Sequence, residues 1–267
     1  MIRVVIAGAT GWVGKALVAA VTAAPDLEIV GAVARTAAGA DAGIATGLAP
    51  LGVTVHATLA EALAIPSDVV VDYTKPNSVR AHALEALAAG RHVVIGTSGP
   101  TAEDYDEIDA AARAAGRGVF AAGNFSVTAA LMKRFALEAA RYVADVEVID
   151  YASAKKPDVP SGTARELAEA LGAVRSAPTT RPVADISGPK EARGAAIGRP
   201  TAVQVHSVRL PSFVLACEAL FGAPDERLVI RHEAGSSAAP YVAGTLLAVR
   251  RVAEAPGLRR GLDMLMD

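Results

Sequence analysis

The sequence predicts an α/β fold: a parallel-sheet domain over the first half of the chain and a second α+β domain after it. Three observations carry that reading. Short β-branched runs alternate with alanine-rich helical stretches through the first half, the pattern of repeated βαβ units. A glycine-rich turn joins the first such strand to the first helix. From Asn124 onward the alternation gives way to a long helix, a strand, a polar loop and three later strand-like runs.

In chain order, the strands expected in the first half are Arg3–Ala7, Glu28–Val33, Val69–Tyr73, His92–Ile95 and Gly118–Ala121. Between them Lys15–Thr22, Val79–Ala89 and Ala102–Ala115 are rich in Ala, Leu and Glu, which lose little side-chain entropy in a helix. The second half is read as a helix over Thr128–Val143, a strand over Val146–Tyr151, and a Lys/Pro/Asp/Gly loop leading to a helix over Ala164–Leu171. An extended surface loop is expected over Ser176–Pro200, where Pro, Thr and Gly break any periodicity. Ala202–Leu210, Phe213–Phe221 and Arg227–His232 then read as strands of a separate sheet, and Tyr241–Glu254 as a last helix that rejoins the first domain. The expected division is a dinucleotide-binding domain over 1–124, completed by 240–267, and a second domain over 125–239.

At 267 residues the chain is long enough for two cores. Its net charge of −2, without runs of like charge, gives no electrostatic reason to expect nucleic acid or a membrane surface as partner. The one cysteine, Cys217, excludes an intrachain disulfide and any thiolate cluster, so no metal site is expected. No apolar run is long enough to cross a bilayer, and the first residues do not read as a secretory signal. The expected location is the cytoplasm.

Gly8-Ala9-Thr10-Gly11-Trp12-Val13-Gly14 follows an apolar strand and opens a helix, the context of a Rossmann-type dinucleotide turn. Gly8 permits the tight turn, Gly11 lets pyrophosphate approach the backbone, and Gly14 packs helix on strand; the first-turn N–H groups face the phosphates. A plain glycine-rich strand-to-helix turn would share the residues but not require their placement at the first βα junction. At the end of the second strand, where a ribose-binding carboxylate is expected about 20 residues on, the sequence has Ala34-Arg35-Thr36. Arg35 cannot accept from a ribose hydroxyl but can clamp a 2′-phosphate, and Thr36 can donate a further bond. NADPH is therefore the preferred cofactor, with NADH possible.

Several segments together resemble the 4-hydroxy-tetrahydrodipicolinate (dihydrodipicolinate) reductase family. They are Val5–Gly14, Val71–Pro76, Val94–Gly99, Asn124–Ser126, Lys156–Thr163, Val205–Leu210 and Tyr241–Asp267, and they run in family order across nearly the whole chain. The resemblance implies a nucleotide domain, then a mixed-sheet domain used for oligomerisation as a homotetramer. It also implies that Tyr73, Thr74, Gly96, Thr97, Ser98, Asn124 and Phe125 hold the nicotinamide end of the cofactor, and that Lys156 with Ser161, Gly162 and Thr163 serves the substrate.

The chain departs from the family where the chemistry is concentrated. The family pattern Glu-x-His-His-x-His-Lys-x-Asp-x-Pro-Ser-Gly-Thr is here Asp150-Tyr151-Ala152-Ser153-Ala154-Lys155-Lys156-Pro157-Asp158-Val159-Pro160-Ser161-Gly162-Thr163. Ala152, Ser153 and Lys155 stand in place of the three imidazoles, and no arginine occurs in the loop from Glu233 to Ala239. An anion site remains. Thr163-Ala164-Arg165-Glu166 has capping-box spacing, so a helix beginning near Thr163 presents free N–H groups beside Lys155 and Lys156, a combination suited to a substrate carboxylate. Lys156 is the expected catalytic residue, with Lys155 or water as other proton sources; Tyr151 and Ser153 are donors only if their face of the strand is turned to the site. His206 and His232 read as structural or surface residues.

These losses favour a diverged paralogue: a reductase of a C=N or conjugated C=C bond in a small, cyclic carboxylate. The alternative is a genuine 4-hydroxy-tetrahydrodipicolinate reductase. A second alternative, from another class, is a non-catalytic nucleotide-binding sensor or partner subunit.

Overall fold

The computed structural model describes residues 1–178 and 181–266, and the chain separates into two compact units, Met1–Val127 with Ala238–Asp267 and Thr128–Ser237. Phe125 falls in the first unit because its ring packs among Tyr73 and Phe120, with centroids 6.1 Å from each. This moves the break a few residues from the expected position.

In the first unit the elements are β1 (Ile2–Ala7), α1 (Trp12–Ala23), β2 (Leu27–Val33), α2 (Ala42–Thr46), β3 (Val55–His56), α3 (Leu59–Leu63), β4 (Val69–Asp72), α4 (Pro76–Ala88), β5 (His92–Ile95), α5 (Ala102–Ala114) and β6 (Gly118–Ala121). In the second they are α6 (Val127–Ala139), β7 (Val146–Ala152), α7 (Gly162–Val174), β8 (Ala195–Ile197), β9 (Val203–Arg209), β10 (Leu215–Ala223) and β11 (Glu226–Ala234). α8 (Ala239–Arg251) and β12 (Gly257–Arg260) return to the first unit.

Seven parallel strands form the first sheet in the order β12-β6-β5-β4-β1-β2-β3. The order reverses direction between β1 and β4, so the crevice beyond their carboxyl ends is the ligand position of an open α/β sheet. Both faces are covered by helices, which is why Val4, Val5 and Ile6 of β1 and Val69, Val70 and Val71 of β4 are all buried instead of alternating. Each such fully buried aliphatic side chain contributes about 1.5–3 kcal/mol relative to an exposed one.

The second sheet is mixed, in the order β11-β10-β7-β9-β8, with β7 and β9 parallel and the other pairs antiparallel. Along β7 burial alternates, with Val146, Val148, Asp150 and Ala152 inward and Glu147, Ile149 and Tyr151 on the more open face. Val146 and Val148 of the inward set pack with Leu167, Ala168 and Leu171 of α7 and with Cys217 and Phe221 of β10. Burial raises the Cys217 thiol to about 12, so it is a small buried hydrophobe.

Several expectations are corrected. The stretch expected as one extended loop over Ser176–Pro200 contains two 3-10 turns, Val183–Asp185 and Lys190–Arg193, and strand β8, which pairs with β9; Thr179 and Thr180 lie outside the described residues. The chain after the last helix, for which no strand is expected, adds β12, which joins β6 in parallel. The helix expected to reach Val143 stops at Ala139. Short β3 and β12 carry too few residues for a periodicity to appear, and only their neighbours make them strands. No helix among the described residues is long and apolar enough to cross a membrane.

Candidate functional site

The glycine turn lies at the carboxyl end of β1. Gly8 has φ +85°, and a Cβ there would overlap the Tyr73 carbonyl from the loop after β4. A Cβ on Gly14 would overlap the Gly8 carbonyl, and one on Gly11 would lie 3.1 Å from it. Gly11 donates its N–H to that carbonyl at 2.9 Å and is the N-cap of α1, with no side chain capping the helix. By contrast, α3 and α5 each begin with a complete capping box, Thr58 with Glu61 and Thr101 with Asp104. The α1 terminus is thus a narrow backbone cradle whose first-turn donors around Trp12 and Val13 could meet an external anion. Thr10 and Val13 are half-buried, and Trp12 is exposed, edge-on to Tyr241 of α8 at 5.6 Å.

Beyond β2, Arg35 and Thr36 open an exposed 3-10 turn, Arg35–Ala37. Arg35 has no ion-pair partner among the described residues, and no carboxylate stands beside it at Ala34. The adjacent strand ends carry the other candidates. The Tyr73 ring lies against Gly96, where a Cβ would overlap it, and its hydroxyl pairs with Thr245 Oγ1 of α8 at 2.7 Å. Burial of that hydroxyl holds the Tyr73 pKa far above its ordinary value, so it stays a neutral phenol. Thr74 and Thr97 both donate to the Asp72 carboxylate, at 2.7 and 3.0 Å, while Ser98 is exposed. Asn124 accepts from the Ser126 N–H at 2.8 Å, which fixes the turn that leads out of β6.

The second unit presents the start of α7. This helix begins at Gly162, and its cap is Ser161, whose Oγ accepts from the Ala164 N–H at 3.3 Å. The capping-box reading at Thr163 is therefore corrected. Glu166 does not fold back onto the helix start but pairs with Lys133 Nζ of α6 at 2.9 Å. Ser161 wins because it is locked in place: its N–H and Oγ both donate to the fully buried Asp150 carboxylate, at 2.8 and 2.6 Å. Asp150 also accepts from Ser207 Oγ at 3.2 Å and is paired with Arg209 Nη2 at 2.7 Å, which in turn reaches the Asp158 carbonyl.

Gly162 and Thr163 occupy the half-buried first turn, and Ser161 is buried with its side chain fully engaged. Lys156 Nζ lies 2.8 Å from Asp158 Oδ1, and Lys155 is exposed. Tyr151 lies on the more open sheet face, 5.0 Å from the Phe213 ring and under the Arg231 guanidinium, away from the Asp150 side that carries α7. The remaining histidines are engaged elsewhere: His206 bonds Glu147 at 2.7 Å, and His232 is buried within β11, where desolvation lowers its pKa.

The family model described as dihydrodipicolinate reductase, N-terminus, matches residues 2–125, and the one for its C-terminus matches 128–265. The chain belongs to the dihydrodipicolinate reductase family. It is 37% identical over 272 residues to 4-hydroxy-tetrahydrodipicolinate reductase of Synechococcus elongatus, covering 99% of this chain and 98% of the relative. Its counterpart from Moorella thermoacetica is 38% identical, with 100% and 98% covered. A dipicolinate-bound dihydrodipicolinate reductase from Paenisporosarcina sp. TG-14 superposes with TM-score 0.77 at 30% identity, over 100% of both chains. An amine dehydrogenase from Mycobacterium smegmatis, at TM-score 0.67 and 19% identity, shares the fold.

Membership of this reductase family implies a nicotinamide cofactor, and the β1 turn fits one: a cradle that a single Cβ would fill, at the switch point of the sheet. Sequence reasoning missed Asp72, Thr245, Asp150, Ser207 and Arg209. The only signal for the two carboxylates is an acid set within or at the end of an apolar strand, as in Val69-Val70-Val71-Asp72.

Proposed function

We propose that the chain is an NADPH-preferring 4-hydroxy-tetrahydrodipicolinate reductase acting in the cytoplasm. The observation that carries the substrate half is the α7 terminus, where a fully buried Asp150 fixes the capping Ser161 and so sets the Gly162 and Thr163 N–H groups as a rigid carboxylate seat beside Lys156. The dipicolinate bound to the Paenisporosarcina relative is a dicarboxylate, the chemistry this seat suits.

Gly8, Thr10, Gly11, Trp12, Val13 and Gly14 hold the pyrophosphate, Arg35 and Thr36 the 2′-phosphate, and Tyr73, Thr74, Gly96, Thr97, Ser98, Asn124 and Phe125 the nicotinamide end. The bound cofactor supplies hydride. The chain orients the substrate carboxylate on Gly162 and Thr163, with Ser161 acting from behind as the cap. Lys156 anchors the same carboxylate, exchanging its contact with Asp158 for the substrate. Loss of the substrate's 4-hydroxyl as water leaves a C=C bond conjugated with the C=N; as hydride adds to one end of that conjugated bond, Lys156 Nζ donates a proton toward the other, with Lys155 or water in that role if Lys156 serves only as anchor.

A homotetramer assembled through the mixed sheet is part of the proposal. It is supported by edge strand β11, on which Leu228 and Val229 are each 46% exposed.

One observation favours a second reading. Ala152 is fully buried, and Ser153 and Lys155 occupy a turn, so no imidazole stands in the stretch before α7. A diverged paralogue taking a smaller or less acidic cyclic carboxylate would tolerate that loss. The full-length likeness to relatives named for a single activity supports the first reading more strongly. Complementation of a bacterial strain lacking this reductase separates the two. Growth without the pathway's end product lysine is the expected result, and failure by a well-expressed, folded protein would leave the paralogue reading.

A further inference from the structure

Asp72 is the last residue of β4 and is 1% exposed. Its backbone remains in register with Ala7 of β1 and Ile95 of β5, so the carboxylate projects from the strand end at the switch point. Oδ1 accepts from Thr74 N at 2.9 Å, Thr74 Oγ1 at 2.7 Å and Thr97 Oγ1 at 3.0 Å. Oδ2 meets His82 Nδ1 at 2.7 Å, from the middle of α4.

A carboxylate only accepts, so four donors from three separate segments converge on one small group. Two of those segments are the loops after β4 and β5, which the proposed function assigns to the nicotinamide end. The third is a helix that carries none of the assigned contacts. Burying a carboxylate is unfavourable unless it is paired and hydrogen-bonded, and His82 supplies the partner. The Asp72 bond raises the His82 pKa against the opposing effect of desolvation, which favours the imidazolium. The Gly96 N–H donates to the Asp72 carbonyl at 2.9 Å, and the Tyr73 ring fills the space over Gly96. The spacing between the two loops therefore depends on this one residue at both its backbone and its side chain.

We propose that Asp72 and His82 are a positioning pair that sets the two nicotinamide-end loops relative to each other, acting through Thr74 and Thr97. This rests on the cofactor reading above, and the test keeps the two apart. Binding of NADPH and of adenosine 2′,5′-bisphosphate, which lacks the nicotinamide half, is measured by calorimetry for the wild type and for Asp72→Asn, His82→Ala, His82→Gln and Thr97→Val. Asp72→Asn, His82→Ala and Thr97→Val are expected to weaken NADPH by about tenfold and the bisphosphate by less than about twofold. His82→Gln, which keeps a donor toward Asp72, is expected to retain more NADPH affinity than His82→Ala. Equal losses for both ligands in Thr97→Val and the His82 variants, or no loss of NADPH affinity, overturn the positioning role. Should Asp72→Asn not fold, His82→Ala compared with His82→Gln, at a residue that carries none of the assigned cofactor contacts, still decides the question. A wild type that binds neither ligand instead sinks the cofactor reading itself.

Discussion

Arg35 and Asp72 show what a single residue discloses in a sequence and what it hides. Arg35 is a proposed phosphate clamp that can be reached from the sequence alone, because cofactor preference is expected at a position counted from the glycine turn and Ala34 beside it supplies no competing carboxylate. Arg35→Ala is expected to weaken NADPH by about tenfold or more while leaving NADH within about twofold, read by direct titration of both cofactors. Equal effects would refute the phosphate clamp. Asp72 is illegible as a site residue because, apart from Thr74, its partners His82 and Thr97 lie 10 and 25 positions away, and only the fold brings them to it. Asp150 is hidden in the same way, with Ser207 and Arg209 lying 57 and 59 positions on.

At the scale of elements, strongly patterned segments were readable and brief ones were not. The five strands expected in the first half all exist, since each is a short, largely buried and mostly apolar run bounded by a turn. The α7 start was misplaced because a Thr-x-x-Glu spacing describes a box only when the glutamate has no better partner, and Lys133 provides one. The entry into β1 gives an element-scale prediction. Arg3 donates three bonds to the Asp68 carboxylate just before β4, at 2.8, 3.1 and 2.8 Å, which lowers the Asp68 pKa from its ordinary 3.8 to about 2. A depressed carboxyl stabilises the fold fully above its unfolded pKa and loses that contribution as pH falls through the folded value. The side chains are 41% and 39% exposed, so screening limits the gain to about 1 kcal/mol or less. Urea unfolding should show the wild type losing its advantage over Asp68→Asn between pH 3.8 and about 2. A difference independent of pH over that window would exclude this linkage.

For the whole molecule, fold class is legible in the sequence because βα alternation fills the first half and a different texture of helix, strand and polar loop follows Asn124, a few residues before the units divide after Val127. The assignment of chemistry to each unit was readable only in part. The first unit keeps every glycine that a dinucleotide cradle needs. The second keeps the residues proposed as the seat, Ser161, Gly162, Thr163 and Lys156, but not the imidazoles of the family pattern. The central claim is that this reduced constellation still turns over a carboxylate substrate. Its most direct test is the steady-state rate of NADPH oxidation with 4-hydroxy-tetrahydrodipicolinate for the wild type and Lys156→Ala. The account predicts turnover by the wild type and a fall in kcat/KM of about 10–100-fold in the variant, a loss of about 1.4–2.7 kcal/mol of transition-state stabilisation. A wild type that binds NADPH but oxidises none of it with this substrate or other cyclic imine carboxylates would contradict the account.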